Sequence, residues 1–538
     1  MTETPRSSFP WWVLVGGLVI AAGYLPTLNA PFDFIDDGNL VYAAPAGTTL
    51  PEYGDRWWDK VQANVEHLGP FRPTLWVHWE LFANTLNNDA QSWRTVRLLW
   101  CGLAATALLW LMRELGIGAT PALIASAAAL WNPYRNEIWT SLTLAEGVAM
   151  PYALLCLVAA RKAAQGSRAW PWDILSIFTL FMVLGCKNTF VALVPAQIAL
   201  RLLPDGMTLR EGWRNGRWAV AAYLLPLAMP AAHFVYFKLN WHAGQYETPG
   251  PSVDQALRIL RWMKGAMGLD FLGVGVALTF AVLVWKREEY ASFSPYRAAL
   301  ITGGLLLLAG IAVYLPLPMM AARYTMPAVW GTDIIFGVML AELSALPLSW
   351  PKRIAWGAVV LGLAAVAVAN VGRQERVAAR ANMLWEVVHH LEQTAPQDSR
   401  VLWISGDSSD GELNVEEGIH VAWHLQHRGR GDIRLHLADG AGNPLNRVEL
   451  PPPEGEAGYR LAGGPSAKEV PTGWTEVRTF AVPYRLGKKQ YTARLDARIP
   501  KPTPGAGILL LDPISAAIMR TGFEQPNADL GKLLEAIK

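Results

Sequence analysis

Residues 11–42 read WWVLVGGLVIAAGYLPTLNAPFDFIDDGNLVY. The first 20 of these carry no charge, which is long enough to cross a bilayer, and three carboxylates follow within seven positions. No small-residue cleavage pattern follows the apolar run, so Met1–Pro10 is not read as the start of a signal peptide. Pro26 through Pro31 reads as the chain leaving the membrane intact.

Outward from this stretch, further apolar runs lie near 95–112, 119–133, 143–160, 172–186, 188–203, 217–237, 268–285, 298–315, 325–345 and 354–371. With the first run they predict a polytopic α-helical membrane protein of about eleven spans. Composition agrees: of 538 residues, 52% are hydrophobic and 17% charged, too apolar for a soluble chain of this size. Residues 372–538 hold 20 of the 46 Lys and Arg and 21 of the 44 Asp and Glu, so they are far more charged than residues 1–371. The expected division is therefore a membrane domain over 1–371 and a soluble α/β domain over 372–538. Strand-like runs at Val401–Ser405, Ile433–Leu437 and Gly507–Leu511 and a helical stretch at Val415–His427 carry the α/β reading.

A net charge of +2 leaves no polyanion footprint, which excludes nucleic acid as an expected partner. Cys101, Cys156 and Cys186 all lie in apolar stretches and form no CxxC knuckle or disulfide framework. Lys and Arg are denser in one alternating set of connections, among them Arg6, Arg113, Arg161, Lys162, Arg214 and Lys352. That density predicts the N-terminus inside, and an odd span count then places the C-terminal domain outside. The expected location is the cytoplasmic membrane, with loops 31–94 and 238–267 on the outer side together with that domain.

The outer side carries the candidate chemistry. Asp33, Asp36 and Asp37 stand at a bilayer edge, where mutual repulsion and nearby hydrocarbon raise carboxylate pKa values and suit a general base. A solvated Asp-Asp-Gly turn is the alternative. Gly69-Pro70-Phe71-Arg72-Pro73 follows in the same loop, then Asn132-Pro133-Tyr134-Arg135-Asn136-Glu137 after the third run. Cys186-Lys187-Asn188 stands at a later outer junction, and Ala322-Arg323-Tyr324 precedes the tenth run. Each places an ionisable group at the outer face, as a site does and as snorkelling side chains also do. The segment Asp254–Lys264 carries Arg258, Arg261 and Lys264 among Leu257, Leu260, Trp262 and Met263, the pattern of an interfacial amphipathic helix. His420, His424 and His427 fall at helical spacing with no cysteine beside them, and no metal site is assigned there.

Taken in order, these motifs resemble those of the GT-C glycosyltransferases that use polyprenyl-phosphate-linked sugars. The series is most similar to the protein O-mannosyltransferases and their TPR-bearing relatives, and more distantly to the lipid A aminoarabinose transferase. Those families have an acidic pair after the first span (here Asp36-Asp37), an Arg-Pro before the second (Arg72-Pro73) and an Arg-Tyr before a late span (Arg323-Tyr324). Their His-Pro-x-x-x-Glu appears as Asn132-Pro133-x-x-x-Glu137, with His replaced. Their Lys-Glu appears as Lys187-Asn188, with the acid lost. The resemblance covers about residues 10–345 and leaves the C-terminal domain unassigned.

The resemblance implies transfer of a sugar, with inversion, from a polyprenyl-phosphate carrier to an extracytoplasmic protein, glycan or lipid. It makes Asp36 the base, with Asp37 orienting the acceptor or exchanging roles with it. Arg72, Glu137, Lys187, Arg258, Arg261, Arg323 and Tyr324 are the candidates for holding substrate and phosphate. It implies no catalytic metal for a monophosphate donor, whereas oligosaccharyltransferases with pyrophosphate donors use one. Two competing readings are a transporter or lipid flippase and a membrane-anchored binding or assembly module. A transporter would use the in-span acids Glu146, Asp333 and Glu342.

Overall fold

The structure is a computed structural model that describes residues 10–34, 37, 55–62, 65, 71–86, 89–166, 168–203, 209–240, 252–286, 294–315, 322–405, 413–438, 458–463, 475–483 and 490–498. Asp36 lies outside the described residues, as does the strand expected at Gly507–Leu511. The chain divides into two compact units. One comprises Met1–Leu25, Gly69–His78 and Thr95–Arg373, the other Pro26–Leu68, Trp79–Arg94 and Gln374–Lys538.

The first unit is helical. Six helices of the described chain are long and apolar enough to cross a membrane: Ala90–Glu114, Ala145–Gln165, Arg210–Tyr236, Arg297–Tyr314, Ala328–Ala345 and Trp350–Thr394. The bent pair Val253–Ala266 and Leu269–Trp285 makes a seventh if counted as one span. The chain is thus a polytopic membrane protein of helical type. Trp11–Ala22, Ala119–Leu130, Trp170–Leu184 and Asn188–Leu202 are apolar yet short. At 12 residues, Trp11–Ala22 covers about 18 Å against a hydrocarbon core of about 30 Å. A 3-10 turn at Leu25–Thr27 follows it.

Close helix packing in this unit depends on small residues. A Cβ on Gly331 would strike the Gly303 carbonyl of the neighbouring helix, and one on Gly310 would meet Ala328 at 2.6 Å. Gly268 joins the bent pair at φ 70°, a left-handed conformation that glycine adopts without steric cost, and the two helices diverge there by 82°.

The second unit holds a five-stranded sheet built from β1 (Arg400–Ile404), β2 (Arg434–Ala438), β3 (Gly458–Gly463), β4 (Thr475–Pro483) and β5 (Gln490–Arg498). Its order is β2-β1-β3-β5-β4, with β1 parallel to β2 and β3, and β5 antiparallel to β3 and β4. The Val415–His427 helix supplies the crossover between β1 and β2, and it starts with a capping box between Asn414 and Glu417. Val401, Trp403, Leu435, Leu437, Leu461 and Leu495 share a core with Leu384, Val387, Val388 and Leu391 of the long helix.

Phe34 of the first loop is fully buried in that same core. Its ring lies 5.0 Å from those of Trp385 and His424, and the Trp385 indole donates to the Phe32 carbonyl at 3.0 Å. Pro26–Leu68 and Trp79–Arg94 group with Gln374–Lys538 in this unit. Phe32 and Phe34 flank Asp33, and the Phe34 ring gains by burial against the long helix and the Val415–His427 helix.

Candidate functional site

In the helical unit, four sequence motifs are fastened together. Pro73 begins the Pro73–Leu86 helix, where a missing N–H costs nothing. The next two backbone amides, Thr74 and Leu75, donate to the Gly185 carbonyl at 3.0 and 3.4 Å. A side chain on Gly185 would collide with Thr74, so the close approach requires glycine. Arg72-Pro73 and Gly185-Cys186-Lys187 are thereby held side by side.

Lys187 is buried in extended backbone between two helical segments and pairs with Glu146 from the first turn of the Ala145–Gln165 helix. The acid missing after Lys187 in the sequence motif is thus supplied from 41 positions earlier. The Lys187 ammonium also sits 4.0 Å from the Tyr324 ring centroid, and the Arg323 guanidinium carbon lies 5.2 Å from the same centroid. Arg323 pairs with Glu137, with both side chains partly exposed. Arg72 is held beside Lys187 by the Thr74 and Leu75 bonds to the Gly185 carbonyl. Tyr314 packs beside Tyr324, its ring tilted by 36° with the centroids 5.9 Å apart, and donates to Thr189 at 2.7 Å.

The cluster therefore contains Arg72, Lys187 and Arg323 against Glu137 and Glu146, and among these five the cations outnumber the carboxylates by one. Two of the cations are anchored by carboxylates at fixed positions, while Arg72 has no ion pair among the described residues. A preorganised cationic group with one surplus charge suits an anion such as a phosphate.

The Asn132–Glu137 segment supports this cluster from behind. Asn132, which stands where the resemblance has histidine, donates to the Gly265 and Ala266 carbonyls at 3.1 and 2.7 Å and accepts from Tyr134 N at 2.9 Å. It ties down the C-terminal end of the Val253–Ala266 helix, a role that an amide fills with both its donor and its acceptor. Arg135 makes a bidentate, buried pair with Asp333 at 2.6 and 3.0 Å and donates to Ala266. A cavity of about 130 Å³ adjoins this pair, lined by Ala128, Met267, Leu272, Asp333 and Phe336. Arg258 and Arg261 are exposed on that helix and make no described contact with Arg72, Lys187 or Arg323.

The acidic loop belongs to the second unit and is described there by itself. Asp37 is fully buried and pairs with Arg94 at 3.5 Å, and it accepts a long bond from the Asp33 amide at 3.4 Å. Arg94 also donates to the Ala30 and Pro31 carbonyls at 3.4 and 2.8 Å, so one guanidinium gathers the whole turn. Glu417 is held by Arg380 through two bonds and caps its own helix. Burial, then the charges of Asp37 and Glu417, push Asp33 from 3.8 to about 7, with Arg94 opposing.

Three participants were not singled out as site residues from sequence. Glu146 was visible as an ionisable residue in an apolar helix, a signal that was assigned to a transporter instead. Arg94 and Tyr314 had no motif around them. His424 is a core residue, fully buried between Phe34, Trp385 and Trp423, and burial holds its pKa well below the usual histidine range. Among the described residues no group of three or more His, Cys, Asp or Glu is placed to hold a metal ion.

No family model matches this chain, and no curated protein does. The solved structures this chain is similar to include two of one protein. ArnT from Cupriavidus metallidurans bound to undecaprenyl phosphate gives a TM-score of 0.48 at 12% identity, over 92% of this chain and 100% of that one. The apo state of the same protein gives 0.48 at 11%, over 92% and 99%. At such identity the likeness carries no side-chain roles across, and the chemistry rests on the residues described above.

Proposed function

We propose that this protein is a membrane glycosyltransferase of the GT-C type, moving a sugar with inversion from a polyprenyl-phosphate carrier to an extracytoplasmic acceptor. The observation that carries the reading is the cationic cluster of Arg72, Lys187 and Arg323, assembled from three separated motifs at the ends of apolar helices. In the proposed reaction these cations hold the donor phosphate and offset the charge that grows on it as the glycosidic bond breaks. Tyr324 packs between two of them, and Glu137 and Glu146 fix their positions.

Asp36 is the proposed base. It takes the acceptor proton as the acceptor oxygen or nitrogen attacks the anomeric carbon, and the lipid phosphate leaves already ionised, so no acid is required. Asp37 is assigned the positioning role because its carboxylate is engaged by Arg94. The C-terminal unit, whose function was open from sequence, is proposed to hold the acidic loop through Phe34. The reaction is placed on the extracytoplasmic face on the charge distribution of the connections.

Of the three in-span acids that a transporter would use, Glu146 and Asp333 are held in buried ion pairs with Lys187 and Arg135. Purified full-length protein in lipid, given polyprenyl-phosphate sugars and candidate acceptors, should release polyprenyl phosphate. Retention of every donor intact, by a preparation shown to bind it, would refute the reading.

A further inference from the structure

The Val253–Ala266 helix has three distinct sides. Gln255, Ile259, Met263 and Ala266 are buried, with Ile259 and Met263 packing in one cluster with Tyr314, Tyr324 and Ala328. At about 100° per residue, Val253, Leu257 and Leu260 fall together with Lys264 on a second flank, and Arg258 and Arg261 fall with Asp254 on a third. The apolar flank is open: Val253 is 77% exposed, Leu257 50% and Leu260 57%. Both arginines are exposed as well, and neither has an ion-pair partner among the described residues. Lys264 is different, because it reaches across the helix break to Asp270 at 2.7 Å.

What covers these flanks follows from the bend. Leu269–Trp285 is a 17-residue apolar helix that exposes Val274, Phe280 and Val284. An apolar helix with such an exterior stands in lipid, and the helix before it turns away by 82°. The Val253–Ala266 helix is thus nearly perpendicular to Leu269–Trp285 and joined to it through two residues. Its own end is locked there by Asn132 and Arg135 bonding to the Gly265 and Ala266 carbonyls.

We infer that this helix is a docking surface for anionic phospholipid, with Val253, Leu257 and Leu260 seated at the acyl boundary and Arg258 and Arg261 bound to head-group phosphates. Leucine and valine side chains gain by leaving water, and guanidinium groups match phosphate oxygens in pairs. A soluble acidic partner would satisfy the arginines but would leave the apolar flank against the bilayer edge unexplained. The inference concerns the phospholipid around the protein and stands independently of the transferase reading.

The test uses the full chain in nanodiscs with a polarity-sensitive fluorophore on Leu257→Cys; the native cysteines are all buried, which favours labelling at the introduced one. In phosphatidylcholine the probe should be quenched by lipids carrying a shallow spin label. Adding phosphatidylglycerol should deepen that quenching, and Arg258→Gln/Arg261→Gln should abolish the increment while leaving the phosphatidylcholine signal. Quenching by aqueous iodide and not by spin-labelled lipid in either composition would overturn the inference. So would an increment that persists in the double variant. Full recovery of the increment by a trace of undecaprenyl phosphate in phosphatidylcholine would overturn it too, by assigning the two arginines to the donor.

Discussion

Lys187, in extended backbone, and Glu146, in the first turn of a helix 41 positions earlier, form a buried ion pair. Removing one member leaves an uncompensated buried charge, which costs about 3–5 kcal/mol. Glu146→Ala and Lys187→Ala should each lower the thermal midpoint of the purified protein. The apolar pair Glu146→Leu/Lys187→Leu should recover much of that stability without recovering donor binding. Donor binding at the native level by the double variant would remove Lys187 from the phosphate site.

Arg323→Ala should weaken donor binding and rate together, because the phosphate is charged in both the ground state and the transition state. The measurement is equilibrium binding of a labelled polyprenyl-phosphate sugar beside steady-state turnover. A loss confined to turnover would contradict a role in holding the donor.

Asp36→Asn keeps shape and hydrogen bonding but cannot accept a proton at neutral pH. Turnover should fall roughly 100-fold or more with donor binding nearly unchanged. Asp37→Asn should act chiefly on folding, because it leaves the buried Arg94 guanidinium short of its carboxylate. Full activity in both variants would reduce the acidic pair to a turn.

Phe34→Ala removes a fully buried ring from the core shared with Leu384, Trp403 and Phe480, and should cost about 3–5 kcal/mol in the C-terminal unit. Phe34→Leu, which keeps most of the volume, should retain folding and lose part of the turnover if the ring positions the acidic loop. Equal activity in wild type and Phe34→Leu, with the loop still protected from proteolysis, would separate the core from catalysis.

Asp33 gives a pH signature with a definite sign. Its folded pKa is raised from 3.8 to about 7, so the folded chain keeps a proton that the unfolded chain has lost between those values. The group's stabilisation is complete below the unfolded pKa and is lost as pH rises through about 7. Asp33→Asn should flatten that part of the melting profile. The same slope in the variant would assign it to another group.

Apolar run length and charge distribution determined the membrane character, the polar C-terminal part and the residues worth examining, because burial in lipid and solvation in water each select composition locally. Arg72, Lys187 and Arg323 were legible as isolated charges beside Pro, Asn and Tyr. Their association was decided by the Thr74 and Leu75 bonds to Gly185 and by Glu146, contacts between segments whose separation in sequence carries no distance information. Helix lengths were decided the same way, since Trp11–Ala22 stops where a tertiary turn competes with further α-helix. The placement of Phe34 in the core of the C-terminal unit was the least legible. An apolar residue in a polar loop states that it must be buried, and only the folded chain supplies the surface that buries it.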